Sequence, residues 1–194
     1  MSDRRRFVIF RIVFFVMQMP VAVFMPYFFL HLREVVGLST QQISYVVMVM
    51  GVAILLTQQL WGYVADVHIS KRSLILINSL LSSLIFLAIA PLHSFAAILL
   101  ALFAFHVINT PITQLLHGFL FMHADSDRRF GVVRAWGSLG FVTANIIIGF
   151  VADHLTGGRL GFIFPLLGLT SMSGALLLFL LPDHPAPAGR RPTF

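Results

Sequence analysis

The sequence predicts an all-α membrane protein: six transmembrane helices arranged as two inverted three-helix repeats. Three observations carry that reading. Hydrophobic residues make up 58% of the 194 positions and charged residues 10%, where an ordinary soluble domain has about 25% charged. Mean hydropathy is +0.93, and the apolar residues fall into six runs near the roughly 20 residues that a bilayer-crossing helix needs. Between the runs, basic residues gather on alternate sides. A soluble enzyme of this length lacks the interior to hide so much apolar surface, and disorder needs the opposite composition.

The first run, about 7–32, is rich in Phe and follows Arg4, Arg5 and Arg6. It exceeds the roughly 7–15 apolar residues of a signal peptide. It also ends in His31-Leu32-Arg33-Glu34 rather than at small residues, so it reads as an uncleaved helix. Pro20 and Pro26 predict a kink in it. The second run, about 39–65, opens on Ser39-Thr40-Gln41-Gln42, an N-cap pattern. The third covers about 73–91. The fourth, about 95–122, is expected to break at Pro111, and the fifth and sixth cover about 131–153 and 161–181. Residues 1–182 thus form the membrane domain, and 183–194 read as the start of a cytoplasmic linker.

Orientation follows from Lys and Arg. With the N-terminus inside, Arg4, Arg5, Arg6, Lys71, Arg72, Arg128, Arg129, Arg190 and Arg191 lie on the cytoplasmic side, and Arg33 and Arg159 outside. Both ends are therefore expected in the cytoplasm. The same clustering explains the basic pI of about 11.1 by membrane topology, and no nucleic-acid partner is expected.

Gly62-Tyr63-Val64-Ala65-Asp66 ends the second run and Gly149-Phe150-Val151-Ala152-Asp153 the fifth, 87 residues on, each followed by a His. The repeats would cover about 7–91 and 95–181. Three spans is an odd number, so the two copies must run in opposite senses across the membrane.

The fourth run carries His106, Asn109, Thr113, Gln114 and His117. Spacings of three and four put His106, Asn109, Thr113 and His117 on one helical stripe. Such a stripe lines a transport cavity or bonds neighbouring helices, and His106 or His117 is a candidate proton carrier. Arg134, near the start of the fifth run, is costly inside a bilayer and so either faces a cavity or reaches for the surface. Trp61 is read as an interface anchor. Gly62 is expected to allow close helix approach, and Asp66 to accept hydrogen bonds at the helix end or to pair with Lys71 or Arg72, as a gating latch between two halves. There is no cysteine, and these histidines lack the spacing and carboxylate company of a zinc helix. No metal or other cofactor is expected. No P-loop, Gly-x-Ser-x-Gly or metalloprotease helix occurs, so the reading is not an enzyme.

Gly62-x-x-x-Asp66-x-x-x-x-Lys71-Arg72 resembles the cytoplasmic signature of the major facilitator superfamily. Phe130-Gly131-Val132-Val133-Arg134-Ala135-Trp136-Gly137-Ser138-Leu139-Gly140-Phe141 resembles the fifth helix of one branch, which holds lactose permease-like, nucleoside/proton and phenylpropionate-type symporters. Leu32-Arg33-Glu34 and Gly37-Leu38-Ser39 are similar to that branch's first outer loop. The chain departs from the signature at Val67 and Ile69, where a basic residue and a Gly are usual.

The superfamily has twelve spans, so the resemblance implies the N-terminal half of a secondary transporter in a bacterial inner membrane. It implies a proton-coupled symporter of a small organic solute such as a sugar, nucleoside or aromatic acid, working by alternating access. Its partners would be substrate, protons, lipid, and a C-terminal half or second copy. The resemblance places Gln18, Tyr27 and Asn145 beside the fourth-run stripe in the cavity, and makes Arg134 substrate-binding. In lactose permease-like members the matching Arg pairs with a fourth-helix carboxylate. Here Gln114 and His117 stand near that place. The alternatives are a non-transporting six-helix scaffold or regulatory subunit, and a half-size transporter that pairs with itself.

Overall fold

The computed structural model describes residues 3–67, 69–121, 127–155 and 160–181. The linker read at 183–194 lies outside them. The described residues form helices and no strand. Six helices have the length and apolarity to cross a membrane: Arg4–Glu34, Thr40–Ala65, Lys71–Ile89, Phe95–Phe121, Phe130–His154 and Ile163–Leu180, here spans one to six.

Span one is built from pieces, for a reason its prolines supply. A regular helix, Asp3–Met17, gives way at Gln18 to a short one, Met19–Val23, with Pro20 in its first turn. A π turn follows over Phe24–Phe28, holding Pro26, before α-helix resumes at Phe29–Glu34. Each proline removes one amide and crowds the carbonyl four residues back, and the wider turn absorbs that mismatch. The winding changes where the kink is expected.

Span one ends in backbone bonds from Val36 to the His31 carbonyl (3.1 Å) and from Leu38 to the Leu32 carbonyl (3.0 Å). Between them Gly37 reverses the chain at φ +78°, a conformation that costs other residues a Cβ clash. Span two then starts as its sequence predicts. The Ser39 amide donates to Gln42 Oε1 (2.9 Å) and the Gln42 amide to Ser39 Oγ (3.3 Å), a reciprocal cap.

Span four corrects an expectation. Its helix continues from Phe95 to Phe121 with Pro111 inside, so the predicted break is absent. Span five runs as α-helix Asp127–Phe150 and finishes in a π turn, Val151–Leu155. In span six, Ile163–Leu177, Pro165 sits in the first turn, where its missing amide has no partner to lose.

The packing order is specific. Span two lies on span four, and span five on span one. Span three lies on span four, and span six on span one. Spans three and six also pack together. One core gathers Phe24, Phe28, Phe86, Phe105 and Phe164 toward the end that carries Gly37, with ring centroids 5.1–5.8 Å apart for the Phe86 pairs. A second, around Phe10, Phe14, Leu74, Phe119 and Ala175, lies toward the basic end of Arg4–Arg6 and Lys71–Arg72. Without water between the helices, packing and small residues hold such a bundle. Three glycines do so here. A Cβ on Gly140 would collide with the Phe15 carbonyl, one on Gly137 would lie 2.9 Å from Gln18 Cγ, and one on Gly174 would lie 2.6 Å from Met17 Sδ. Span one is thus set deep against spans five and six.

Candidate functional site: a cleft between spans one, two, four and six

A cleft of about 190 Å³ opens between spans one, two, four and six. Met17, Pro20, Val21, Phe24 and Met25 of span one form one wall. Met50 and Ile54 of span two and Phe105, His106, Asn109, Ile112 and Thr113 of span four form the facing one, and Leu167 and Ser171 of span six close it. The polar groups are His106, Asn109, Thr113 and Ser171. They carry amide, hydroxyl and imidazole chemistry, with no carboxylate or permanent cation. His106 is 8% exposed, edge-on to Phe24 and Phe105 at centroid distances of 5.3 and 5.1 Å. Its Nε2 has no hydrogen-bond partner among the described residues. A buried polar atom without a partner is uncommon in native structures, and this one belongs to a residue that lines a cavity.

The structure splits the predicted site residues into three groups. His106, Asn109 and Thr113 share the cleft. Gln114 does not. It lines a separate cleft of about 160 Å³ with Gln58, Trp61, Gly62, Lys71 and Pro111. His117 also leaves the stripe: its ring stacks on Phe14 (5.6 Å) and meets Phe130 edge-on (5.9 Å), within electrostatic reach of Arg134. The four-residue period identifies a face of span four. It does not reveal that a different neighbour covers each turn of that face.

Gln18, Tyr27 and Asn145 lie along the seam of spans one and five, outside the cleft lining. Gln18 packs at Gly137. The Tyr27 hydroxyl donates to the Asn145 carbonyl (3.0 Å), and the Asn145 side-chain amide donates to Phe141 in its own helix (3.0 Å). Arg134 is exposed and joins no ion pair among the described residues, so span four supplies no carboxylate partner for it.

The gating residues are also redistributed. A Cβ on Gly62 would meet nothing within 4 Å, so the expected close helix approach at Gly62 is not made among the described residues. Arg72 donates to the Leu181 carbonyl (3.0 Å) and lies 4.4 Å over the Phe179 ring. It caps the end of span six, where a cation complements the helix dipole. The Lys71 stem lies against Gly118. The Asp66 side chain, and with it the expected pairing, lies outside the described residues. Trp61 turns its indole N–H inward to the Val107 carbonyl (2.7 Å), an interhelical role that the interface reading missed.

Sequence reasoning also missed Ser171 and the Met and Phe residues of the cleft. Ser171 carried a usable signal, a hydroxyl at the middle of an apolar run. Met17, Met25 and Met50 carried none, since Met is an ordinary gap-filler in cores.

Six membrane-length apolar helices around a largely apolar cleft with four polar groups define a multi-pass membrane protein whose architecture suits transport. Comparison with known proteins gives the family. The chain belongs to the MFS_1 like family, whose model matches residues 7–184, and so to the major facilitator superfamily. It is similar to a maltose permease of Geobacillus stearothermophilus, with 24% identity over 178 residues, 91% of this chain and 44% of the permease. The chain spans less than half the length of that relative. Both findings point to a transporter rather than an enzyme.

Proposed function

We propose that the chain forms the N-terminal half of an alternating-access secondary transporter, and that the cleft is its share of the solute site. The observation that carries this is the polar set His106, Asn109, Thr113 and Ser171 converging from spans four and six on one cavity. The unpartnered His106 nitrogen in that lining is available to a bound solute. The uncharged lining favours a neutral solute with an apolar body, held by a few hydrogen bonds at one edge. Among sugar, nucleoside and aromatic acid, it fits the nucleoside-like class best. A polyhydroxyl sugar would leave hydroxyls against Phe24, Phe105 and the methionines, at roughly 1–3 kcal/mol for each left unpaired.

A second reading rests on Arg134. Its exposed guanidinium near His117 suits an anionic solute or an acidic group of the missing half. In either reading a proton gradient drives uptake, with His106 or His117, or a carboxylate of the second half, as carrier.

The neighbour order supports two inverted repeats at about 7–91 and 95–181. Exchanging spans one, two and three with four, five and six leaves the packing order unchanged. The 87-residue interval from Gly62 to Gly149 also separates Tyr27 from Gln114. Tyr27 stands at Gly149 as Gln114 stands in the cleft with Gly62. Spans two and five have the least buried surface, 24% and 22% of their most apolar windows. They offer the faces for a C-terminal half or a second copy, with both ends of this half on the basic, cytoplasmic side of the inner membrane.

The test is a counterflow panel on the natural-length protein in vesicles, with thymidine, maltose and phenylpropionate. Thymidine uptake that Asn109→Ala lowers and Arg134→Gln spares supports the cleft. Phenylpropionate uptake lost in Arg134→Gln and kept in Asn109→Ala overturns it for the second reading. Loss of proton-gradient-driven net uptake on adding a protonophore, with counterflow retained, tests the coupling. Absence of all uptake by protein at normal membrane abundance moves the balance to the scaffold.

A further inference from the structure

We propose that Trp61 is a positioning residue: it supplies to span four the hydrogen bond that Pro111 withholds, and so fixes one wall of the cleft. In an α-helix the carbonyl of residue 107 accepts the amide of residue 111. Pro111 has no amide, and its ring presses on that same carbonyl. In hydrocarbon no water replaces the lost donor. The Trp61 Nε1–H donates to the Val107 carbonyl at 2.7 Å. Indole has one N–H and no acceptor, so donor and orphaned carbonyl match one to one. The match explains why the helix stays continuous across Pro111.

The consequence reaches the cleft. Asn109 and Thr113 flank Pro111 by two residues on either side, and Ile112 adjoins it; all three line the cavity. Met50 and Ile54 of span two line it as well. The bond ties span two to span four at a single carbonyl, and thereby sets the register of one wall against the other. Most interhelical hydrogen bonds in membranes are modest because the separated helices find other partners. Val107 has lost the donor that its own helix would supply at position 111, and the indole N–H takes that place.

The deciding experiment is a double-mutant cycle in the full-length protein. Trp61→Phe keeps a ring and removes the N–H; Pro111→Ala restores the amide. Trp61→Phe is expected to lower thermal stability and to raise the uptake KM roughly three- to tenfold, as loss of one interhelical hydrogen bond would, with kcat little changed. In the Pro111→Ala background the same substitution is expected to change either quantity less than about twofold. Equal losses in both backgrounds overturn the proposal, as does a silent Trp61→Phe. The uptake arm rests on the transport reading; the stability coupling does not, so failure of one is separable from failure of the other. If a variant does not accumulate, the wild-type protein decides. Labelled with ¹⁵N-tryptophan, its Trp61 indole proton should exchange at least tenfold more slowly than that of Trp136, which is 40% exposed. Equal exchange rates overturn the proposal.

Discussion

Span one shows two different flanks. Toward span five it is sealed: Gly140 leaves no room beside the Phe15 carbonyl, Gly137 none beside Gln18, and Tyr27 closes the far end on the Asn145 carbonyl. Toward spans two and four it is open, with a cleft between Phe24, Met25 and the stripe of His106, Asn109 and Thr113. The same helix thus has a side where every ångström is taken and a side where about 190 Å³ is not. Backbone contact with no tolerance belongs to parts that move together. The open side is lined by His106, whose Nε2 is unpartnered among the described residues, and by Asn109, Thr113 and Ser171.

The contrast can be broken at four places. Gly140→Val carries the largest expected effect. It drives a branched side chain into the Phe15 backbone, which cannot yield as a flexible side chain would, and membrane abundance should fall about tenfold or more on an immunoblot. Normal abundance would mean that the seam is not sealed. Thr113→Val with Asn109→Ala removes hydrogen-bonding groups from the open flank without filling it. Uptake should fall roughly tenfold at unchanged abundance; a parallel loss of abundance would make these residues packing groups. Tyr27→Phe deletes one bond of the seam. A stability loss near 0.6 kcal/mol is expected, read as a small shift of the unfolding midpoint in detergent, with uptake affinity retained. Gly62→Ala comes last. Nothing lies within 4 Å of the added methyl, so stability of this half should stay within about 0.5 kcal/mol, and a larger loss would place an unseen neighbour there.

How much of this was legible depends on the range of the interaction. The six spans follow from local apolarity, and their ends fall within a few residues of the expected ones. The Ser39–Gln42 cap was legible because both partners lie within four residues. Pro111 was misread because its effect depends on a residue fifty positions earlier: the donor that keeps span four intact is Trp61. The fourth-span stripe was identified as a face and then dispersed, because Phe14 covers His117 while the cleft takes His106 and Asn109. Arg134 was singled out for its charge, and charge alone says nothing about which side of a helix faces a cavity.

The link between spans one and two bears on how the cleft can change shape. Residues 35–39 are no slack string. Gly37 is fixed at φ +78°, backbone bonds hold both sides of it, and Ser39 and Gln42 lock the next helix at its first turn. The joint works like the bend of a pair of tweezers. At that end of the cleft the joint itself sets the spacing of spans one and two.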